Sequence, residues 1–234
     1  MRKKSDFILG LTHGIPIGLG YLSVSFGFGI MAVQSGLSVI EAFIISLTNL
    51  TSAGQVQGVN VIAAGGTFIE MAVVQLVINI RYSLMALSLS QKLDEKFTLP
   101  YRMLAAYGIT DEIFAVCSSY KGSIKPSYMF GIISISTVGW VSGTALGAAA
   151  GEILPQSLTA ALGIVLYGMF VAIIVPPARK YRSILFVVML AALLSIAAKY
   201  FLSFLSGGFA IILCAVIASA FGALLFPKRE EDDT

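Results

Sequence analysis

Apolar residues fill most of the chain in long runs that only short polar stretches interrupt. Eight of these runs are candidate membrane spans, because a helix needs about 20 apolar residues to cross a bilayer. They cover residues 14–33, 39–64, 67–90, 104–120, 127–151, 157–177, 183–205 and 208–226. No soluble domain fits between them. The pattern therefore predicts an all-α, polytopic integral membrane protein with a single transmembrane transporter domain over residues 1–234.

Composition supports this prediction and excludes several classes of protein. Apolar residues make up 57% of the 234 residues, charged residues make up 12%, and the mean hydropathy is +0.91. A soluble domain is typically about 45–50% apolar and about 25% charged. One His and two Cys provide neither a His-based metal cluster nor a disulfide framework, and a net charge of +3 does not suggest nucleic acid. No nucleotide-binding, metalloprotease or nucleophile motif occurs, so we expect no enzyme activity, catalytic residue, cofactor or metal.

Positive charge predicts which loops face the cytoplasm, since short cytoplasmic loops are enriched in Lys and Arg. The basic stretches are 2–4, 92–102, 121–125, 179–182 and 228–229. Eight full spans cannot place both 92–102 and 121–125 inside. Both stretches lie inside if segments 39–64 and 104–120 are broken or re-entrant. We therefore predict about six full spans plus two irregular segments, with residues 1–10 and the charged tail 227–234 in the cytoplasm.

The first irregular segment, 39–64, has a polar middle at residues 51–55 that we predict to be unwound. Interrupted helices mark binding sites in many transporters, where helix ends attract the two charges of a zwitterion. We therefore predict that this break binds an amino acid through four residues. These are Ser52, Ala53, Gly54 and Gln55. The alternative is a hydrophilic external loop between two short spans.

Polar residues within candidate 67–90 are predicted to shape a central substrate cavity. They are Asn79, Arg81 and Tyr82. A charge at the bilayer centre costs about 2.5–3.5 kcal/mol, so such residues usually face a pathway or a partner. The alternative for Arg81 is that its side chain reaches the cytoplasmic interface, about 13 Å away along the helix. Glu70, near the start of the same run, is interpreted as an interfacial residue.

Two adjacent carboxylates, Asp111 and Glu112, lie in segment 104–120. Carboxylates beside an Arg can bind and release a proton, so we predict that they couple proton movement to transport. The alternative is a structural ion pair of Arg81 with Asp111 or Glu112. If 104–120 were one helix, Tyr107 and Asp111 would share a face.

Glycines repeated every four residues predict close helix packing. Gly10, Gly14 and Gly18 repeat in this way at the start of the first candidate span, and Gly139, Gly143, Gly147 and Gly151 do so in the fifth. The contact is either within the chain or with a partner. The two glycine runs also raise the alternative of an internal repeat, which is common in transporters.

Taken together, four stretches resemble the AzlC family, the large subunit of bacterial branched-chain amino-acid exporters linked to azaleucine resistance. They are residues 14–21 with Phe26 and Gly27, residues 51–55, residues 79–82 with Ser88 and Leu89, and residues 110–112. The resemblance implies export of leucine, isoleucine, valine and sometimes methionine across the bacterial cytoplasmic (inner) membrane. It also implies a small AzlD-type membrane subunit as partner. Val56 stands where the resemblance leads us to expect an aromatic residue, which bears on the shape of the substrate pocket.

The predicted function is a secondary, gradient-driven and proton-coupled transporter subunit that exports branched-chain or other hydrophobic amino acids. Two alternatives stay open at this stage. One is an uncoupled channel or facilitator for small solutes. The other is a non-transporting membrane scaffold that supports a partner subunit through its glycine faces.

Overall fold

The computed structural model describes residues 5–155, 168, 171–172, 174–202 and 204–227. The helices in this part of the chain are α1 (Asp6–Gln34), α2 (Val39–Thr48), α3 (Ser52–Ala63), α4 (Phe68–Ser90), α5 (Leu99–Tyr107), α6 (Asp111–Ser119), α7 (Pro126–Ile153), α8 (Arg182–Phe201) and α9 (Gly207–Leu225). Residues 174–180 are also helical.

Five of the described helices are long and apolar enough to cross a membrane: α1, α4, α7, α8 and α9. This confirms the predicted all-α, polytopic membrane fold. The sixth predicted span, 157–177, falls largely outside the described residues. Helix α1 begins earlier than expected, because the side chain of Ser5 caps it by accepting a hydrogen bond from the Ile8 amide.

Segment 39–64 is broken as predicted, but the position expected for the break was wrong. The non-helical residues are 49–51, and Ser52 already begins α3. Helix α2 ends because Asn49 is extended, with φ −141° and ψ 108°. The backbone N–H of Gln55 then donates to the Thr51 carbonyl at 2.9 Å, which closes the first turn of α3. Of the residues expected to be unwound, Thr51 lies in the break and residues 52–55 are helical.

Segment 104–120 is also broken, between Tyr107 and Asp111. Helix α5 ends at Gly108, where an added Cβ would press on the side chain of Ile133. Helix α6 starts anew because the Thr110 side chain accepts from the Ile113 amide. The expectation that Tyr107 and Asp111 share one helical face was therefore wrong, since they belong to different helices.

The chain divides into two compact units, which are described separately. The first comprises Met1–Val59 and Ile78–Leu166, and the second comprises Asn60–Val77 and Tyr167–Thr234. Helices α1, α2, α5, α6 and α7 belong to the first unit, and α8 and α9 belong to the second. Helices α3 and α4 each contribute residues to both units.

Parallel packing of α1 against α7 forms the centre of the first unit. Gly10 lies opposite Gly131, Gly18 opposite Gly139, and Phe26 opposite Gly147, so residue numbers rise together along both helices. A Cβ at Gly139 or Gly147 would overlap a backbone carbonyl of α1. The absence of side chains on these faces thus allows the two backbones to approach closely.

The other glycines named from the sequence lie along the same contact. A Cβ at Gly14 would lie 3.0 Å from Ile132 Cα, and one at Gly18 would lie 2.9 Å from the Ile135 carbonyl oxygen. A Cβ at Gly143 would overlap α1. At Gly151 the nearest atom, Ile30 Cα, would lie 3.4 Å away, which is an ordinary contact.

Two basic loops and the start of α1 meet at one end of the first unit, which we call the basic end. Lys125 Nζ lies 3.0 Å from Asp6 Oδ2, and this hydrogen-bonded carboxylate raises the pKa of the lysine. Lys92 Nζ donates to the carbonyls of Ser118 and Tyr120. Helices α5 and α6 therefore leave this end and return to it, so that 104–120 does not cross the unit.

In the second unit, Glu70 lies near the start of a span, as the sequence indicated, but its side chain is buried within the protein. It lies in the first turn of α4 and is 5% exposed. Its carboxylate accepts from the Gly208 amide at 3.1 Å and from the Ser206 hydroxyl. Glu70 is buried because it satisfies donors at the positive N-terminal end of α9.

A polar layer at the helix breaks as candidate functional site

Tyr21 and Trp140 mark the middle of the first unit. Each lies near the midpoint of its helix, about 20 Å from the helix start at 1.5 Å per residue. Their rings pack edge to face with centroids 5.2 Å apart. Because α1 and α7 are long enough to span a bilayer, we expect these two aromatic rings near the depth of the membrane centre.

On one side of these rings, the side chain of Gln55 binds the break between α2 and α3. Gln55 is 1% exposed, and its Nε2 donates to the carbonyls of Asn49 and Ile45 at the end of α2. Its Oε1 accepts from Trp140 Nε1 at 3.0 Å. The amide thus supplies a donor to the Asn49 carbonyl beyond the last turn of α2, shares the Ile45 carbonyl with the Asn49 backbone amide, and joins the break to α7.

Next to the Gln55 side-chain amide, two buried hydroxyl groups connect α2 to α7. Ser46 Oγ lies 2.7 Å from Thr144 Oγ1, and Gln55 Nε2 lies 3.4 Å from Ser46 Oγ. Both hydroxyl-bearing residues are completely buried. The polar contacts at the first break therefore form one connected set within the protein.

On the other side of the rings, Tyr21 binds the break between α5 and α6. Its hydroxyl donates to Glu112 Oε2 at 2.5 Å and lies 2.6 Å from Thr110 Oγ1. Thr110 also caps α6, so a single residue shapes the break and contacts the tyrosine. This arrangement places the Glu112 carboxylate beside the middle of α1.

The neighbouring carboxylate, Asp111, has a different partner. Arg81 Nη1 lies 2.7 Å from Asp111 Oδ2, and both side chains are roughly half exposed. The Arg81 guanidinium also lies over the Tyr82 ring, 4.9 Å from its centroid. Of the two ion pairs considered from the sequence, the structure contains the one with Asp111. Glu112 is instead bound to Tyr21.

The two helix breaks approach each other at this depth. The Tyr107 hydroxyl, at the end of α5, donates to the Leu47 carbonyl near the end of α2 at 2.7 Å. We call the set Tyr21, Gln55, Arg81, Tyr82, Thr110, Asp111, Glu112 and Trp140 the polar layer. Within the described residues, it brings charged groups from α4 and α6 together with both helix breaks.

Most of the residues predicted from the sequence belong to the polar layer or lie next to it. Ser52 and Ala53 lie half-buried in the first turn of α3, and Gly54 is buried beside Gln55. Asn79 lies half-buried on α4, two residues before Arg81. The predicted residues thus occupy one region of the first unit.

Sequence reasoning did not single out Tyr21, Thr110 or Trp140 as site residues. Tyr21 and Trp140 each lie inside a glycine-rich apolar run. In such a run the sequence does not distinguish a site residue from an aromatic residue that faces lipid or packs against another helix. Trp140 is the only tryptophan in the chain, and this was the signal that could have pointed to it as a site residue. A buried indole N–H requires an acceptor, and Gln55 supplies it here.

No group of His, Cys, Asp and Glu side chains within the described residues could hold a metal ion. A family model, AzlC protein, matches residues 16–154, which contain Tyr21, both helix breaks and nearly all of α7. The chain belongs to the AzlC family. The resemblance stated from the sequence is thereby confirmed.

Several relatives of this AzlC-family chain carry membrane or transport names. A protein of Archaeoglobus fulgidus, named uncharacterized membrane protein, is 31% identical over 75% of this chain and 78% of its own. Inner membrane protein YgaZ of Escherichia coli is 28% identical over 77% of each chain. The branched-chain amino acid transport protein AzlC of Bacillus subtilis is 22% identical over 78% of this chain and 73% of its own. No solved structure matches the chain.

Proposed function

We propose that this chain is the large subunit of a gradient-driven exporter of branched-chain or other hydrophobic amino acids across the cytoplasmic membrane. The observation that carries the proposal is that two helix breaks and three charged side chains meet beside the midpoints of α1 and α7, two helices long enough to cross a membrane. Such interruptions offer helix ends to a zwitterionic substrate without exposing unpaired backbone to lipid. The name of the Bacillus subtilis relative, a branched-chain amino acid transport protein, supports the substrate class.

The substrate in this proposal binds between the break at residues 49–51 and the charged side chains of the polar layer. The first turn of α3, with Ser52, Ala53 and Gly54, presents the positive end of a helix to the substrate carboxylate. The negative C-terminal end of α2 suits the ammonium group. Gln55 positions this break, because its side-chain amide hydrogen-bonds to Asn49 and Ser46 on one side and to Trp140 on the other.

Proton coupling is assigned to the carboxylates of α6, with different roles for the two. Asp111 is paired with the Arg81 guanidinium, which balances its charge. Glu112 accepts a hydrogen bond from a neutral tyrosine hydroxyl, so no cation balances its charge among the contacts of the described residues. Protonation of Glu112 would replace the charge-assisted hydrogen bond from Tyr21 with a weaker bond to a neutral carboxyl group, and thereby loosen α6 from α1. Glu112 is therefore the principal coupling group.

The test is efflux of leucine from cells loaded with a leucine-containing dipeptide, measured over a range of external pH. We expect Glu112→Gln to abolish the pH dependence of efflux and Asp111→Asn to lower the efflux rate. Glu95→Gln is the matched control, since Glu95 is an exposed loop carboxylate outside the polar layer. Normal efflux with unchanged pH dependence in both α6 variants would refute the coupling role. Efflux that only follows the leucine gradient would indicate a facilitator instead.

A small AzlD-type membrane subunit is proposed as the partner, with the basic end of the first unit in the cytoplasm. The positive loops at that end support this orientation. Efflux is compared in cells that contain the chain alone, the chain with such a subunit, and neither protein. Faster efflux only with both proteins supports a two-subunit exporter. Equal efflux in all three would contradict the export proposal.

A further inference from the structure

A small apolar cavity lies near the basic end of the first unit, and none of its lining residues belongs to the polar layer. It has a volume of about 120 Å³ and lies between the end of α4, the start of α7, and α5 with the residues that flank it. Five of its lining residues are buried: Leu89, Phe97, Ala105, Ile109 and Met129. Aliphatic and aromatic groups therefore enclose most of this space.

One cation lies at the rim of this cavity. Arg102, in the first turn of α5, is exposed, and its Nε donates to the Phe97 carbonyl at 3.0 Å. This hydrogen bond fixes the direction of the guanidinium at the cavity. The two Nη groups make no hydrogen bond or ion pair with any of the described residues. A guanidinium with free Nη groups presents a planar pair of donors that matches a carboxylate.

We infer that this cavity is a cytoplasmic docking site for short, branched aliphatic carboxylates, bound with the carboxylate on Arg102 and the branched tail among the buried apolar side chains. An apolar protein cavity of about 150 Å³ holds benzene, so a cavity of 120 Å³ suits a branched tail of three or four carbons. The inference rests on the proposed function, because an exporter collects its substrate from the cytoplasmic side.

The groups that line the cavity predict which ligands bind and which do not. It offers a cation and an apolar space, and no acidic side chain lines it. A ligand therefore needs the carboxylate and the branched tail but not the ammonium group. The 2-oxo acid that corresponds to leucine should bind, whereas leucinamide, which lacks the carboxylate, should not. The proposed substrate site in the polar layer uses the ammonium group, which the oxo acid lacks. Binding of the oxo acid therefore reports on the cavity and not on the polar layer.

The experiment measures equilibrium binding of labelled 4-methyl-2-oxopentanoate to the full chain in lipid nanodiscs. Arg102→Gln is expected to weaken binding about tenfold or more, since it removes a charged hydrogen-bond pair. Ala105→Leu is expected to fill the cavity and abolish binding while the protein still folds, because the added carbons occupy empty space. Lys96→Gln and Ala72→Leu are the matched controls, since both residues are exposed and neither lines the cavity.

A variant of the polar layer tests the proposed function without affecting the proposed cavity site. Glu112→Gln should leave oxo-acid binding unchanged while it alters leucine efflux. Retained oxo-acid binding in a chain that shows no efflux under any condition would refute the export proposal and leave the cavity assignment intact. Wild-type binding in both Arg102→Gln and Ala105→Leu would overturn the assignment, as would equal binding of leucinamide.

Discussion

The buried side-chain amide of Gln55 hydrogen-bonds to the backbone at the point where α2 ends. Its Nε2 serves the carbonyls of Asn49 and Ile45, and its Oε1 serves the indole of Trp140. A backbone break in a membrane-embedded helix is stable only where protein groups or water satisfy its polar atoms. One side chain thus makes the break compatible with the interior of the protein.

Truncation of this side chain should therefore destabilise the protein. Gln55→Ala removes the acceptor of the buried Trp140 indole N–H and the donor to the Asn49 carbonyl, and we expect a loss of about 1–3 kcal/mol in the free energy of unfolding. Thermal unfolding of the purified chain in detergent measures the effect. Gln57→Ala, on the same helix but half-buried, is the control and should unfold near the wild-type temperature. Equal unfolding temperatures for all three proteins would contradict this role.

The hydroxyl of Tyr21 is the second single group on which the polar layer depends. Tyr21→Phe keeps the ring against Trp140 but removes the donor to Glu112, a hydrogen bond to a charged group that contributes about 1.5–3 kcal/mol. We expect lower leucine efflux with a shifted pH dependence. Tyr101→Phe, which removes an exposed hydroxyl of α5, is the control. An efflux profile identical to wild type would refute the role of this hydroxyl.

The residues of the site differ in how far the sequence could reveal them. Arg81, Asp111 and Glu112 stand out because charges are rare in apolar runs. Their pairing could not be read from the sequence, since Asp111 and Glu112 were equally suitable partners for Arg81. The local break between Tyr107 and Asp111, together with the fold around it, turns Glu112 towards Tyr21 instead. Such a choice depends on contacts between helices that are distant in the chain.

At the scale of helices, charge balance was sufficient to predict both irregular segments. The exact break in 39–64 was not predictable from composition, because a Ser-Ala-Gly run can be helical when a side chain such as Gln55 serves the preceding helix end. The partner of the glycine runs also required the structure. Gly18 and Gly139 could have faced another protein, but they face each other.

Substitution of these glycines should separate α1 from α7. Gly139→Ala places a Cβ against the Gly18 backbone, and we expect a loss of about 1–3 kcal/mol from overpacking. Gly151→Ala is a closely matched control, because it lies in the same repeat but its Cβ would make only ordinary contact with Ile30. Thermal unfolding distinguishes the two variants. Equal destabilisation would show that helix packing at Gly139 is not the cause.

For the whole molecule, the parallel direction of α1 and α7 has a consequence for topology. Their N-terminal ends share the side that holds the loops around Lys92 and Lys121, and Gln34 at the end of α1 lies on the other side. We expect Lys96→Cys and Lys121→Cys to react with a membrane-impermeant maleimide only after permeabilisation. Gln34→Cys should react in intact cells. Native Cys117 and Cys214 are buried and give little background. Labelling of the two loop variants in intact cells would show that these loops face the outside, opposite to the expected orientation.

The pairing of α1 with α7 also sets an order of events during synthesis. Residues 35–125 must be made after α1 is complete and before α7 begins. At about 5–20 residues per second, this takes about 5–18 s. During that interval α1 sits in the membrane with its glycine face uncovered, next to the insertion machinery and any chaperone there. The nascent chain is therefore most vulnerable to mispairing and degradation before α7 emerges, and substitutions in α7 should reduce the amount of inserted protein as well as its stability.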